Sequence, residues 1–267
     1  MMSKLIYVTL FLLNGGITTA QQGARVRLSA TAQTGATAEG VWALMANPAG
    51  TAKADRPTLA LTYSAMASLP EISKQSVAFL WPVKRNALGL GIQRDGFSAF
   101  RTLNTGFTYA KQFGPELTIA TRFNYHQISA AGYGAVNGYS FDLGVSYILN
   151  SKITLGTYVN NPLNQKYRSD IDFSLPSNFS IGISCQTSAI VVLTGEIKKE
   201  PEQPAGIHLG LEYIPVDVLH LSAGLSVNPF RHYAGVGVLY GPLDLAFAVS
   251  SDPYLGYQPQ IFVSYAF

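Results

Sequence analysis

The stretch Tyr139-Ser140-Phe141-Asp142-Leu143-Gly144-Val145-Ser146-Tyr147 decides the fold. Every odd position is large and apolar, and every even one is small or polar. Successive side chains of a strand point to opposite faces, so this stretch is a strand between two unlike environments. Ile207, Leu209, Leu211 and Tyr213 alternate in the same way with His208, Gly210 and Glu212. From Thr58 onward the spacing predicts fourteen such segments: 58–67, 75–82, 86–95, 102–112, 116–127, 138–149, 152–160, 177–186, 189–198, 205–214, 218–227, 232–241, 243–250 and 257–267. About ten residues each is the length with which a tilted strand crosses a bilayer. The expected fold is all-β: a transmembrane antiparallel β-barrel of about fourteen strands, with lipid outside and a polar interior.

Connections and aromatics add direction. Links after even-numbered segments are tight, as in Phe113-Gly-Pro115 and Asn150-Ser151, whereas those after odd-numbered ones read as mostly longer, up to 161–176. Barrels of this kind have short periplasmic turns and longer external loops, and an even strand count leaves both ends in the periplasm. The last outward positions of the descending strands should then form a periplasmic aromatic girdle. They carry Trp81, Tyr109, Tyr147, Tyr213, Tyr240 and the pair Tyr265 and Phe267; only the eighth strand lacks one, with Cys185 there. The chain closes on an amphipathic strand ending in Phe267, similar to the signal read by barrel-insertion machinery.

Composition agrees. Charged residues are 12% of the 267 and hydrophobic ones 48%, against about 25% charged in a soluble domain. After the N-terminus no apolar run nears the roughly 18 residues of a membrane helix. A net charge of +3 without a basic run gives no reason to expect nucleic acid. Residues 1–20, with Lys4, the apolar Leu5–Leu13 and Thr18-Thr19-Ala20, read as a cleavable signal peptide for export to a Gram-negative outer membrane. The only cysteine, Cys185, excludes an intramolecular disulfide and lies far from any lipoprotein cleavage site.

Residues 21–57 form a separate N-terminal segment, rich in Ala, Thr and Gly and lacking alternation, before the barrel at 58–267. Val41, Leu44 and Met45 suit one face of a short helix ended at Asn47 by Pro48. That apolar turn needs a place of burial, and the barrel mouth or lumen supplies one. Trp42, Asn47, Pro48 and Gly50 are its marked positions. Inward positions are often small (Gly89, Gly91, Gly106, Gly144, Gly156, Gly210, Ala246, Ala248), which leaves room for such a plug.

Little in the chain suggests catalysis. His126, His208, His220 and His232 form no closely spaced metal pair, and a phosphate loop, a Cys/His zinc pattern and a Gly-x-Ser-x-Gly elbow are absent. His220 reaches the outward face only if the eleventh strand shifts register, because Leu219, Leu221 and Leu225 claim that face. No cofactor or metal is expected. The inward polar residues Arg122, His126, Asp142, Glu196, His208 and Glu212, with Asn124 and Asp244, read either as a polar path or as groups that pair with one another and with the plug. The loop carrying Lys166, Arg168, Asp170 and Asp172 is a solvated external loop or a contact for a partner or lipopolysaccharide.

Several short motifs together resemble a known family. Gly23-Ala-Arg, the run Ala36–Gly50 ending in Asn47-Pro-Ala-Gly, Leu69-Pro-Glu-Ile, Ala87-Leu-Gly-Leu-Gly, Tyr109-Ala-Lys-Gln-Phe113, Gly132-Tyr-Gly and Asp142-Leu-Gly are similar to the PorV/PorQ family, within the FadL-like class of outer-membrane proteins. The resemblance implies a fourteen-stranded barrel with an N-terminal plug. It also implies a role as an accessory or partner-binding barrel in type IX protein secretion, working beside a larger outer-membrane secretion barrel or with secreted proteins. The second reading is a FadL-like channel for small hydrophobic molecules, in which the plug gates passage. Outer-membrane lipid is the expected surrounding in both.

Overall fold

The computed structural model describes residues 30–168, 174–253 and 256–267; the signal peptide expected at 1–20, the start of the 21–57 segment, and Asp170 and Asp172 lie outside these. Fourteen antiparallel strands form one closed barrel: β1 (Thr58–Ala65), β2 (Ser73–Val83), β3 (Asn86–Gly96), β4 (Phe100–Phe113), β5 (Leu117–Ala130), β6 (Gly134–Ile148), β7 (Ile153–Asn160), β8 (Asn178–Ser188), β9 (Val191–Lys199), β10 (Gly206–Val216), β11 (Leu219–Val227), β12 (Arg231–Tyr240), β13 (Leu243–Asp252) and β14 (Gly256–Ala266). Each strand pairs with its neighbours in the chain, and β14 returns to β1 with Thr58 opposite Ala266. Closure removes the two open edges that a sheet otherwise presents.

The alternation read at 139–147 holds. Tyr139, Leu143 and Tyr147 are exposed, while Ser140, Asp142, Gly144 and Ser146 are buried. Around the barrel the exposed face continues through Leu88, Leu90, Phe107, Phe123, Ile181, Leu209 and Phe247. A sleeve of this extent exceeds the few hundred square ångströms of apolar patch usual on a soluble monomer. It is the lipid-facing surface of a transmembrane barrel. No helix among the described residues is long and apolar enough to cross a membrane.

The seven girdle positions are all exposed. Two of their tyrosines carry a polar partner at the turn end: Tyr109 donates to Asn86 Oδ1 (3.0 Å) and Tyr147 to Glu116 Oε2 (3.0 Å). Tyr265 and Phe267 meet edge to face at 5.0 Å. An apolar ring with a wet polar tip suits a bilayer interface. Phe113, exposed and of the same parity as Tyr109, joins them under the Lys111 ammonium, 5.2 Å above its ring.

Two expectations about the chain path need correction. Outer connections are shorter than the spacing implies, because β4, β5 and β6 run on past the apolar zone. Phe100 pairs with Ala130, and Ala130 with Gly134, which leaves only 97–99 and 131–133 as turns. Arg101 and Ser129 take the outward parity there, and Phe100, Ile128 and Val136 the inward one, so the alternation is lost while backbone pairing continues. The long 161–177 connection does not simply project. Arg168 N–H donates to the Asn137 carbonyl (2.7 Å), its guanidinium lies over the Tyr139 ring, and Leu175 and Tyr167 pack inward against Gly138. The loop thereby covers the part of β6 that extends beyond the end of β7.

Candidate functional site: the segment inside the barrel

Residues 30–54 lie inside the wall. They form two short 3-10 helices, Gly40–Met45 and Pro48–Lys53. Asn47 does not simply end a helix, as its place before Pro48 suggests. It sits between the two: its side chain accepts from Ala49 N–H (3.1 Å), and Pro48 takes the first helical position, where a missing N–H costs nothing. The turns are 3-10 rather than α, which suits the tight confinement of so short a run.

Small inward residues of the wall make the room. A Cβ at Gly156 would fall 1.8 Å from the Ala36 carbonyl oxygen, and one at Gly144 2.2 Å from Asn47 Oδ1. One at Gly89 would meet Leu44 Cδ2 at 2.2 Å, and one at Gly210 would meet Thr31 Cβ at 2.5 Å. Gly91 faces Met45 and Gly224 faces Ala32. Within the segment, Gly50 is needed because a Cβ there would lie 1.8 Å from the Ala38 carbonyl oxygen.

The seat has an apolar side and a polar side. On β1 to β5, Val41, Trp42, Leu44, Ala49 and Ala52 join Ala60, Ala78, Leu80, Ala87, Ala110 and Ala120 in one cluster. Trp42 meets Phe262 of β14 edge to face, centroids 5.5 Å apart. On β6 to β10 the contacts are hydrogen bonds. Ala36 N–H donates to Glu196 Oε2 (2.7 Å), His208 Nδ1 meets the Ala32 carbonyl (2.8 Å), and the hydroxyls of Thr34 and Thr194 lie 2.9 Å apart. Asn47, fully buried, donates Nδ2 both to the Ala36 carbonyl (2.6 Å) and to that of Val145 in β6 (2.9 Å).

One ion pair ties the two sides together. Asp142 Oδ2 accepts from Arg122 Nε (2.8 Å) and Nη2 (2.7 Å), from Asn124 (2.8 Å) and from Asn160 (3.1 Å). Its Oδ1 takes the Asn161 N–H at 3.1 Å. The third guanidinium nitrogen, Arg122 Nη1, donates to the Leu44 carbonyl of the inner segment. A buried pair is stable when its remaining hydrogen-bonding capacity is filled, as here. His126, higher on β5, bonds Ser140 (2.9 Å) and stands beside the Tyr167 ring.

The inward polar residues therefore fall into two sets. Arg122, Glu196 and His208 hold the inner segment directly, with Asp142 acting through Arg122. Glu212 is paired elsewhere, 3.3 Å from His220 Nδ1, and both are buried in the lumen. That places His220 inward, in the register set by its leucine neighbours, and away from lipid. Sequence reading passed over Phe262, Thr34, Thr194 and Asn161. Only Phe262 carried a signal, as an aromatic on the inward parity of β14.

Three solved structures share this architecture. The toluene transporter TodX of Pseudomonas putida superposes with a TM-score of 0.70 at 14% identity, over 91% of this chain and 97% of that one. The toluene transporter TbuX of Ralstonia pickettii gives 0.65 at 15%, over 93% and 98%. A FadL homologue of Pseudomonas aeruginosa gives 0.64 at 13%, over 92% and 100%. At such identities the likeness establishes the fold, a FadL-like transmembrane barrel. No protein-family profile and no curated protein sequence matches the chain. The narrower PorV/PorQ resemblance is left without confirmation.

Proposed function

We propose that this protein is an outer-membrane channel for small hydrophobic molecules, with residues 30–54 as its gate. The observation that carries the reading is the seating of that segment. It occupies the lumen, and on β6 to β10 it is held by side-chain hydrogen bonds that involve Asn47, Thr194, Glu196 and His208. The shared fold with two toluene transporters supports the same class of cargo. The accessory role in type IX secretion rests on short-motif resemblance alone, and no contact in the structure favours it over the channel.

A reversible lock tests the gate. Thr34→Cys with Thr194→Cys, in a Cys185→Ala background, replaces two hydroxyls 2.9 Å apart by a bridgeable pair. Uptake of a hydrophobic solute into proteoliposomes should fall on oxidation and return on reduction. Uptake indifferent to the oxidation state would overturn the gating role.

A further inference from the structure

The outward face of β3 to β6 changes character in steps toward the outer loops. Leu90, Phe107, Phe123 and Phe141 stand opposite one another across the four strands. Two residues further out the row reads Ile92, Thr105, Tyr125 and Tyr139, and the next reads Arg94, Leu103, Gln127 and Asn137. Arg101 lies beyond, opposite Gly96, which sets it diagonal to Arg94 at about 7–8 Å. At the far end Arg168 continues the row beside Asn137, 5.2 Å above the Tyr139 ring. All three arginines are exposed.

The carboxylate of this sector is on the other side of the wall. Asp95 has inward parity and takes Gln93 Nε2 (2.9 Å) and the Lys74 ammonium (3.8 Å) there. Arg94 and Arg101 form no ion pair among the described residues. Two like charges so close, with no acid between them, invite an anion, and the guanidinium fork matches phosphate. Between the cations the surface is neutral. Asn137 Oδ1 accepts from Tyr125 (2.8 Å) and from Gln127 (3.1 Å), which leaves its Nδ2 as a donor toward a ligand. Arg94 and Arg168 stand more than three strand spacings apart, about 15 Å. A headgroup with a single phosphate cannot reach both.

We infer that this outer rim binds a glycolipid of the outer leaflet whose headgroup is a disaccharide phosphorylated at both ends, as in lipid A. One phosphate meets Arg94 and Arg101, the other meets Arg168, and the sugars lie across Gln127 and Asn137. The acyl chains run down the apolar rows below, along Phe107 and past the stacked rings of Phe123 and Tyr139 (5.9 Å). The site is on the lipid side of the wall, so it stands or falls apart from the channel reading.

The probes are lipid A carrying both phosphates, the same lipid with both removed, and phosphatidylglycerol, each titrated into the intact protein in detergent and read by native mass spectrometry. Doubly phosphorylated lipid A should bind about tenfold more tightly than the dephosphorylated form, the least that one hydrogen bond to a charged group contributes. Arg94→Gln with Arg101→Gln should bring the two within about threefold. Lys199→Gln, exposed at the end of β9, should leave the preference unchanged. Equal binding of the two lipid A forms, or an equal loss in the Lys199 variant, overturns the inference. So does phosphatidylglycerol bound as tightly as lipid A, which would make the rim a general anion surface. Should the double variant fail to fold, salt decides in the unaltered protein. The preference should shrink as ionic strength rises, and a preference indifferent to salt counts against the site.

Discussion

Gly156 of β7 and Ala36 of the inner segment are in such close contact that a single added carbon on the glycine would sit 1.8 Å from the Ala36 carbonyl oxygen. The wall and the segment are thus fitted at the level of the backbone. Gly156→Ala should push the segment off its seat, at a cost of about 1–3 kcal/mol for overpacking. Single-channel conductance should rise, whereas Gly195→Ala, whose new carbon meets only Ile183 and Leu209 at 3.7 Å, should leave it unchanged. Equal conductance in both variants would show that the segment does not limit passage.

Arg122 and Asp142 form one of the polar links between wall and segment, and removal of either charge leaves the other buried. Asp142→Leu should lower stability by about 3–5 kcal/mol, and Arg122→Met together with Asp142→Leu should recover much of the loss. Heat-modifiability of the barrel on gels measures both. A double variant no better than the single would mean that the pair contributes through more than its charges.

Trp42 anchors the apolar side. Trp42→Ala removes its contact with Phe262 and should cost the segment about 3–5 kcal/mol. Hydrogen exchange at 40–53 should accelerate while the strand ladders stay protected. Uniform acceleration over the whole chain would contradict a segment that moves separately from the wall.

The outer surface permits a test of its surroundings. Phe123, midway along β5 and 55% exposed, faces the middle of the apolar sleeve. Phe123→Arg should destabilise the lipid-embedded barrel by about 2–4 kcal/mol, and an arginine in place of Tyr240, at the turn end, by about 0–1. Similar small effects at both sites would argue for water rather than lipid around the sleeve.

The parts of this fold that show in the sequence are those where two solvents differ across one strand. Tyr139 to Tyr147 alternate because lipid and lumen reward opposite side chains, and that difference sets strand number, parity and girdle. The small residues at 89, 91, 144, 156 and 210 were legible as space, though not which atoms fill it. Beyond the sleeve both faces are wet, so the pairing of Ala130 with Gly134 leaves no pattern, and outer loops look longer than they are. The Asp142 node is hidden for another reason. Its partners Arg122, Asn124, Asn160 and Asn161 come together only through the registers of β5, β6 and β7, and register between strands is not written in any one strand. Asn47 shows the same limit on a smaller scale, since its neighbour Pro48 signals a stop and the interior uses it as a start.

The seam between β1 and β14 also closes the wall around a segment that lies earlier in the chain. Residues 30–54 precede the first strand, yet they end up enclosed by a wall that is complete only when Thr58 meets Ala266. Backbone contacts such as Gly156 with Ala36 match the segment to this circumference: a ring one hairpin smaller would close onto it, and a ring one hairpin larger would stand away from it.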